Sequence, residues 1–99
     1  MLLSCLVFSL QSLNMKSCIL SLFDSAANFY AAPFTVPSTA VAVRSLKAAI
    51  DGDSGDVAKH PEDFTLYKIG EFDSESGKIT AFDTPERVVR AIDLKSPSV

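Results

Sequence analysis

Histidine occurs once in this 99-residue chain, tryptophan not at all, and cysteine only twice. A single histidine, His60, leaves no histidine pair for a zinc site and at most one histidine-based proton relay. Cys5 and Cys18 form no C-x-x-C pair and cannot make a disulfide framework; in an apolar strand such as the one around Cys18, a cysteine behaves as a small buried hydrophobe. No G-x-S-x-G, no phosphate-binding glycine loop and no metal-spaced Cys/His cluster is present, so no enzyme activity, cofactor or metal is expected. Positive charge is also in short supply. Nine basic residues stand against 12 acidic ones, a net charge of −3, which argues against strong affinity for a polyphosphate. The apolar run at the start of the chain is too short to cross a bilayer and lacks the basic flank of a secretory signal.

What remains is enough for one folded domain. Apolar residues make up 47% of the chain and charged residues 21%, a balance that supports a packed core and not a disordered tail. Ser17 to Phe23 reads as a strand, with Cys18, Leu20 and Leu22 alternating on one face. A turn at Asp24-Ser25 leads to a second extended piece, Phe29 to Val36, which Pro33 restricts to a sheet edge. Ser38 or Thr39 caps a helix running to Ile50, whose stripe is Ala42, Val43, Leu46, Ala49 and Ile50. Arg44 and Lys47 sit off that stripe. Asp51-Gly52 ends the helix, and a polar loop continues to Lys59.

After the loop, Asp63 to Phe72 and Lys78 to Phe82 read as a hairpin, with Gly77 in the left-handed turn position and Gly70 marking a bulge that re-aims Phe72. Along the first arm Phe64 and Leu66 point one way, Tyr67 and Ile69 the other. Asp83-Thr84-Pro85-Glu86 has the form of a capped helix start, predicting a short C-terminal helix that carries Val88, Val89 and Ile92. This order predicts an α+β domain over residues 15–94: a small antiparallel sheet of three to four strands, one main helix on a face and a short C-terminal helix. The tail from Lys95 to Val99 is expected to fray.

Few residues suggest a site. Asp51, Asp53 and Glu62 fall at positions 1, 3 and 12 of a calcium-type loop, but Gly55 and Asp56 reverse the fifth and sixth positions it needs, so a solvated loop is expected. Glu62 and Asp63 brace the entry to the strand beside His60. Two basic pairs at helical i, i+3 spacing, Arg44 with Lys47 and Arg87 with Arg90, could meet phosphates, the first pair being the better placed. Phe29, Tyr30, Phe34 and Tyr67 could stack unpaired bases, although aromatics and basic residues of this kind more often serve as core and as a solvated face.

Three blocks carry a resemblance: S-L-F-D-S-A-A-N-F-Y-A-A-P-F from Ser21 to Phe34, A-V-A-V-R from Ala40 to Arg44, and K-H-P-E-D-F-T-L-Y-K-I-G-E-F-D-S-E-S-G from Lys59 to Gly77. Together they resemble the small nonstructural protein of microvirus-type, gokushovirus-like single-stranded-DNA phages, over roughly Met15 to Ile92. The resemblance implies an accessory role in single-stranded-DNA genome synthesis or packaging in the cytoplasm of a bacterial host, with single-stranded DNA and viral replication or packaging proteins as expected partners. The alternative is a protein-interaction module that binds a host or viral factor without touching DNA. Because the resemblance begins near Met15, residues 1–14 are expected to be a spurious or disordered extension.

Overall fold

The computed structural model describes residues 16–95; the expectations for residues 1–14 and for the end of the tail lie outside the described residues. Strand β1 (Lys16–Asp24) is followed by β2 (Phe29–Tyr30) and β3 (Phe34–Val36), helix α1 (Thr39–Asp51), a short helix α2 (Gly55–Lys59) and a 3-10 turn (Pro61–Asp63). Strands β4 (Phe64–Asp73) and β5 (Lys78–Arg90) then lead into a closing 3-10 turn (Ala91–Leu94). The domain is α+β, as the element pattern predicts, but its sheet has five strands and dominates the fold.

All strand pairs are antiparallel, in the order β2-β1-β4-β5, with β3 also on β1. The extended piece from Phe29 to Val36 is therefore one edge broken in two. Its first part pairs Tyr30 with Phe23 and its second pairs Phe34 with Leu20, and the break holds Pro33, which lacks a ladder N–H. The turn between β1 and β2 is held by the Asp24 carboxylate, which accepts the backbone N–H groups of Ala26 at 3.0 Å and Ala27 at 3.3 Å. Asn28 takes the left-handed conformation there (φ 61°), one of the few side chains that tolerates it.

The core lies between α1 and the sheet face carrying Leu20 and Leu66. Leu20, Leu66, Ala42, Leu46, Ile50 and Ala91 form one buried cluster, flanked by Cys18, Leu22, Val36, Val43, Val89 and Leu94. Ala42, Leu46 and Ile50 recur every four residues, so one helical stripe meets alternate residues of two strands. The other helical segments join α1 on this side: α1 contacts α2 and the Ala91–Leu94 turn, which in turn meets the Pro61–Asp63 turn.

Two sequence expectations are corrected here. The polar loop after α1 contains helix α2, with Ala58 buried; its two flanking bends use left-handed backbone at Asp53 (φ 57°) and Gly55 (φ 68°). The expected C-terminal helix does not form. Residues 83–90 continue β5, pairing Glu86 with Lys68, Arg87 with Tyr67, Val89 with Leu66 and Arg90 with Thr65. A proline that starts helices well can also sit where a strand leaves its ladder, and Pro85 lies in such an excursion, where residues 82–85 pass a single β4 residue, Ile69. The free edge of β4 and the β-branched Val88-Val89 then favour strand.

The hairpin turn matches its expectation. Gly77 is left-handed (φ 75°), and the Asp73 carboxylate accepts the N–H of Glu75 at 2.9 Å. A bulge lies one residue before Gly70: Ile19 faces Gly70 and Leu20 faces Lys68, leaving Ile69 extra.

Lys68 is the one strongly embedded cation. Its Nζ lies 3.3 Å from Glu71 and 5.5 Å from the centre of the Phe82 ring. Burial alone would lower its pKa; the Glu71 hydrogen bond and the negative charge of Cys18, Glu71 and Glu86 outweigh burial and raise it above the ordinary 10.5. A raised folded-state value contributes stability that is fully present below the unfolded value and is lost as pH rises through the folded one. The alkaline fall in stability, followed by urea melts from pH 9 upward, should therefore be shallower in Lys68→Met than in the parent.

Candidate nucleic-acid interface

Opposite α1, the sheet presents a second face whose composition follows from register. Cross-strand partners share a face. Tyr30 opposes Phe23, Ser21 opposes Tyr67, and Phe23 opposes Thr65, so all five lie on the side away from Leu20 and Leu66. Three rings cluster there. The Phe23 and Tyr30 centroids are 4.7 Å apart, Phe23 and Tyr67 6.2 Å, and Tyr30 and Tyr67 5.7 Å. The last two contacts are edge-to-face, a favoured arrangement for ring quadrupoles. Beneath them the buried Ser21 hydroxyl donates to the Ala31 carbonyl at 2.7 Å, anchoring the chain just beyond Tyr30.

Arg87 and Arg90 join this face for a reason that helical spacing does not supply. In a regular strand, residues three apart point to opposite sides. Here the register slips between Leu66 and Tyr67, leaving Val88 extra, so that Arg87 opposes Tyr67 and Arg90 opposes Thr65. Both arginines are thus beside the aromatic cluster, and both are exposed. Arg90 is held by Asp93, its Nε and Nη2 donating to the two carboxylate oxygens at 3.2 and 3.1 Å. Among the described residues Arg87 makes no ion pair.

The six residues singled out in the sequence therefore divide into two groups. Tyr30, Tyr67, Arg87 and Arg90 come together on the open sheet face. Arg44 and Lys47 stand on α1, in the other layer. Lys47 is engaged locally, 3.1 Å from Asp51 and donating to the Leu94 carbonyl at 3.3 Å, which ties α1 to the closing turn. Phe34 opposes Leu20 on the helix side, where it lines an open apolar pocket of about 270 Å³ together with Leu22, Val36, Ala42, Leu46 and Leu66. Phe29, on the same edge, is exposed.

Sequence reasoning did not single out Phe23 as a site residue. Its position out of step with Leu20 and Leu22 on β1 was the available signal, since a ring on the face opposite the core stripe has no core to fill. His60, Glu62 and Asp63 bring potential metal-ligand atoms within 4.8 Å of one another, with His60 Nδ1 3.8 Å from Glu62. Three such groups fall short of the six to eight oxygens calcium takes.

Fold and face together define a small α+β domain with one helix-covered sheet face and one aromatic, arginine-flanked face left open. Residues 17–94 match the family model described as Phage ORF5 protein, and the chain belongs to that family; it is a phage protein. No curated protein and no solved structure matches it. Among the described residues no helix is long and apolar enough to cross a membrane.

Proposed function

We propose that this is a non-enzymatic accessory protein of a microvirus-type, gokushovirus-like phage. It acts in single-stranded-DNA genome synthesis or packaging in the host cytoplasm, and it contacts single-stranded DNA weakly through the open sheet face. The observation that carries this reading is the cluster of Phe23, Tyr30 and Tyr67 with Arg87 beside it. Every base has a π-face, so exposed rings accept unpaired bases of any sequence, while a guanidinium without a carboxylate partner is available to a phosphate. The weakness follows from the net charge of −3, which opposes the approach of a polyanion.

Fluorescence anisotropy of a labelled oligothymidylate, at low and rising salt, tests it. Tyr30→Ala with Tyr67→Ala should weaken binding about 10- to 100-fold, from roughly 1–3 kcal/mol per stacked base. Arg87→Ala should reduce the slope of log affinity against log salt by about 1, the loss of one phosphate contact. Arg44→Ala with Lys47→Ala should change affinity less than either. No binding by the intact chain at low salt would reject DNA contact and favour an interaction module for a host or viral protein.

A further inference from the structure

The helices cover only part of the sheet. The chain measures 53 × 34 × 17 Å, and α1 packs where Leu20 and Leu66 lie. Beyond that point β4 and β5 continue towards their turn, accompanied by β1 as far as Lys16, which opposes Asp73. On the open face this outer end consists of two cross-strand rows. One is Ser17, Phe72 and Ile79; the other is Ile19, Gly70 and Ala81. Neither row contains a charged side chain. Ile79 is 64% exposed, more than any other large apolar side chain among the described residues. A β-branched residue on a strand is normally half-buried at least, so its exposure lacks a local explanation.

We propose that this outer end joins two copies of the chain in a weak symmetric dimer, open face to open face. The argument is the alternation of the rows. Phe72 and Ile79 form a ridge; two residues along the strands, about 7 Å away, Gly70 and Ala81 form a trough with one methyl group between them. A two-fold symmetric contact requires a surface complementary to itself. A two-fold axis lying between the rows places the ridge of each copy over the trough of the other, as in the packing of two sheets. The uncharged rows let two chains of net charge −3 approach at this point without like charges meeting.

The edges of the sheet offer no comparable route to self-association. β5 carries Pro85 and an excursion from its ladder, and the opposite edge is broken at Pro33, both features that discourage edge pairing. Area sets the strength. Three strands about 4.8 Å apart over about 20 Å of length offer roughly 300 Å² per copy, against the ~800 Å² per partner of a standard stable complex. The dimer is therefore concentration-dependent. It leaves the Tyr30–Tyr67 cluster free, because that cluster lies further along the strands, and it does not depend on the DNA-binding reading.

Sedimentation velocity of the full chain from about 5 to 500 μM tests the proposal. The parent should shift from monomer towards dimer across this range. Ile79→Asp should remain monomeric throughout; the side chain is exposed, and a circular dichroism melt will show that the fold is retained. Ala81→Phe, which fills the trough, should weaken association at least about 10-fold, while Phe29→Asp, on the helix side of the sheet, should leave it unchanged. A parent that is monomeric at 500 μM overturns the proposal, as does dimerisation that persists in Ile79→Asp or is abolished by Phe29→Asp.

Discussion

Leu66→Ala should cost roughly 2–5 kcal/mol of folding stability, the usual range for removing a buried leucine side chain. Leu66 is 1% exposed and sits at the centre of the single core cluster, between β1, β5 and α1. It opposes Leu22 on one side and Val89 on the other, so the vacated space touches both neighbouring strands. Small domains have on the order of 5–15 kcal/mol of stability in total, and the loss is large against that margin. Urea denaturation followed by circular dichroism will measure it. Ile79→Ala is the control. The same measurement should show a change within about 0.5 kcal/mol, because an exposed side chain leaves no cavity.

Gly70→Val should be the second large effect, and its cause is steric. A Cβ atom built on Gly70 would lie 2.5 Å from the Thr80 carbonyl oxygen and 3.4 Å from the Ala81 Cα. The obstacle is backbone, which no rotamer change relieves, so β4 and β5 must separate beside the Ile69 bulge. Overpacking of this kind typically costs ~1–3 kcal/mol and sometimes more. Gly70→Ala should fall at the lower end of that range. Gly77→Asn makes the informative contrast. Nothing lies within 4 Å of a Cβ at Gly77, and asparagine tolerates its left-handed φ of 75°. If Gly77→Asn proves more harmful than Gly70→Val in thermal melts, the close approach of Thr80 is not what demands glycine at position 70.

The register also explains which parts of the site were legible beforehand. Tyr67 and Ile69 could be assigned to the face opposite Leu66 from alternation alone, since side chains alternate along any strand. The pairing of Arg87 with Arg90 was noticed for a helical reason that does not apply, yet the two share a face because Val88 is extra in β5. Phe23 was passed over because an aromatic in an apolar strand resembles core until the uncovered face is known. Arg44 and Lys47 were correctly placed outside the α1 stripe; the contact of Lys47 with the Leu94 carbonyl, 47 residues away, could not be read from spacing.

By itself the sequence determined the elements that local rules control. The 3.6-residue periodicity of Ala42, Leu46 and Ile50 specified α1 and its buried side, the alternation of Cys18, Leu20 and Leu22 specified β1, and Gly77 specified the hairpin turn. Tertiary structure decided whether residues 83–90 would be helix or strand. Asp83-Thr84-Pro85-Glu86 carries a sound helix-start signal, but β4 offers an unpaired edge, and a partner lying more than 15 residues away in sequence is invisible to any local window. Tertiary structure likewise decided which aromatics and arginines meet, because the bulges at Ile69 and Val88 are properties of two strands in register and belong to neither strand alone.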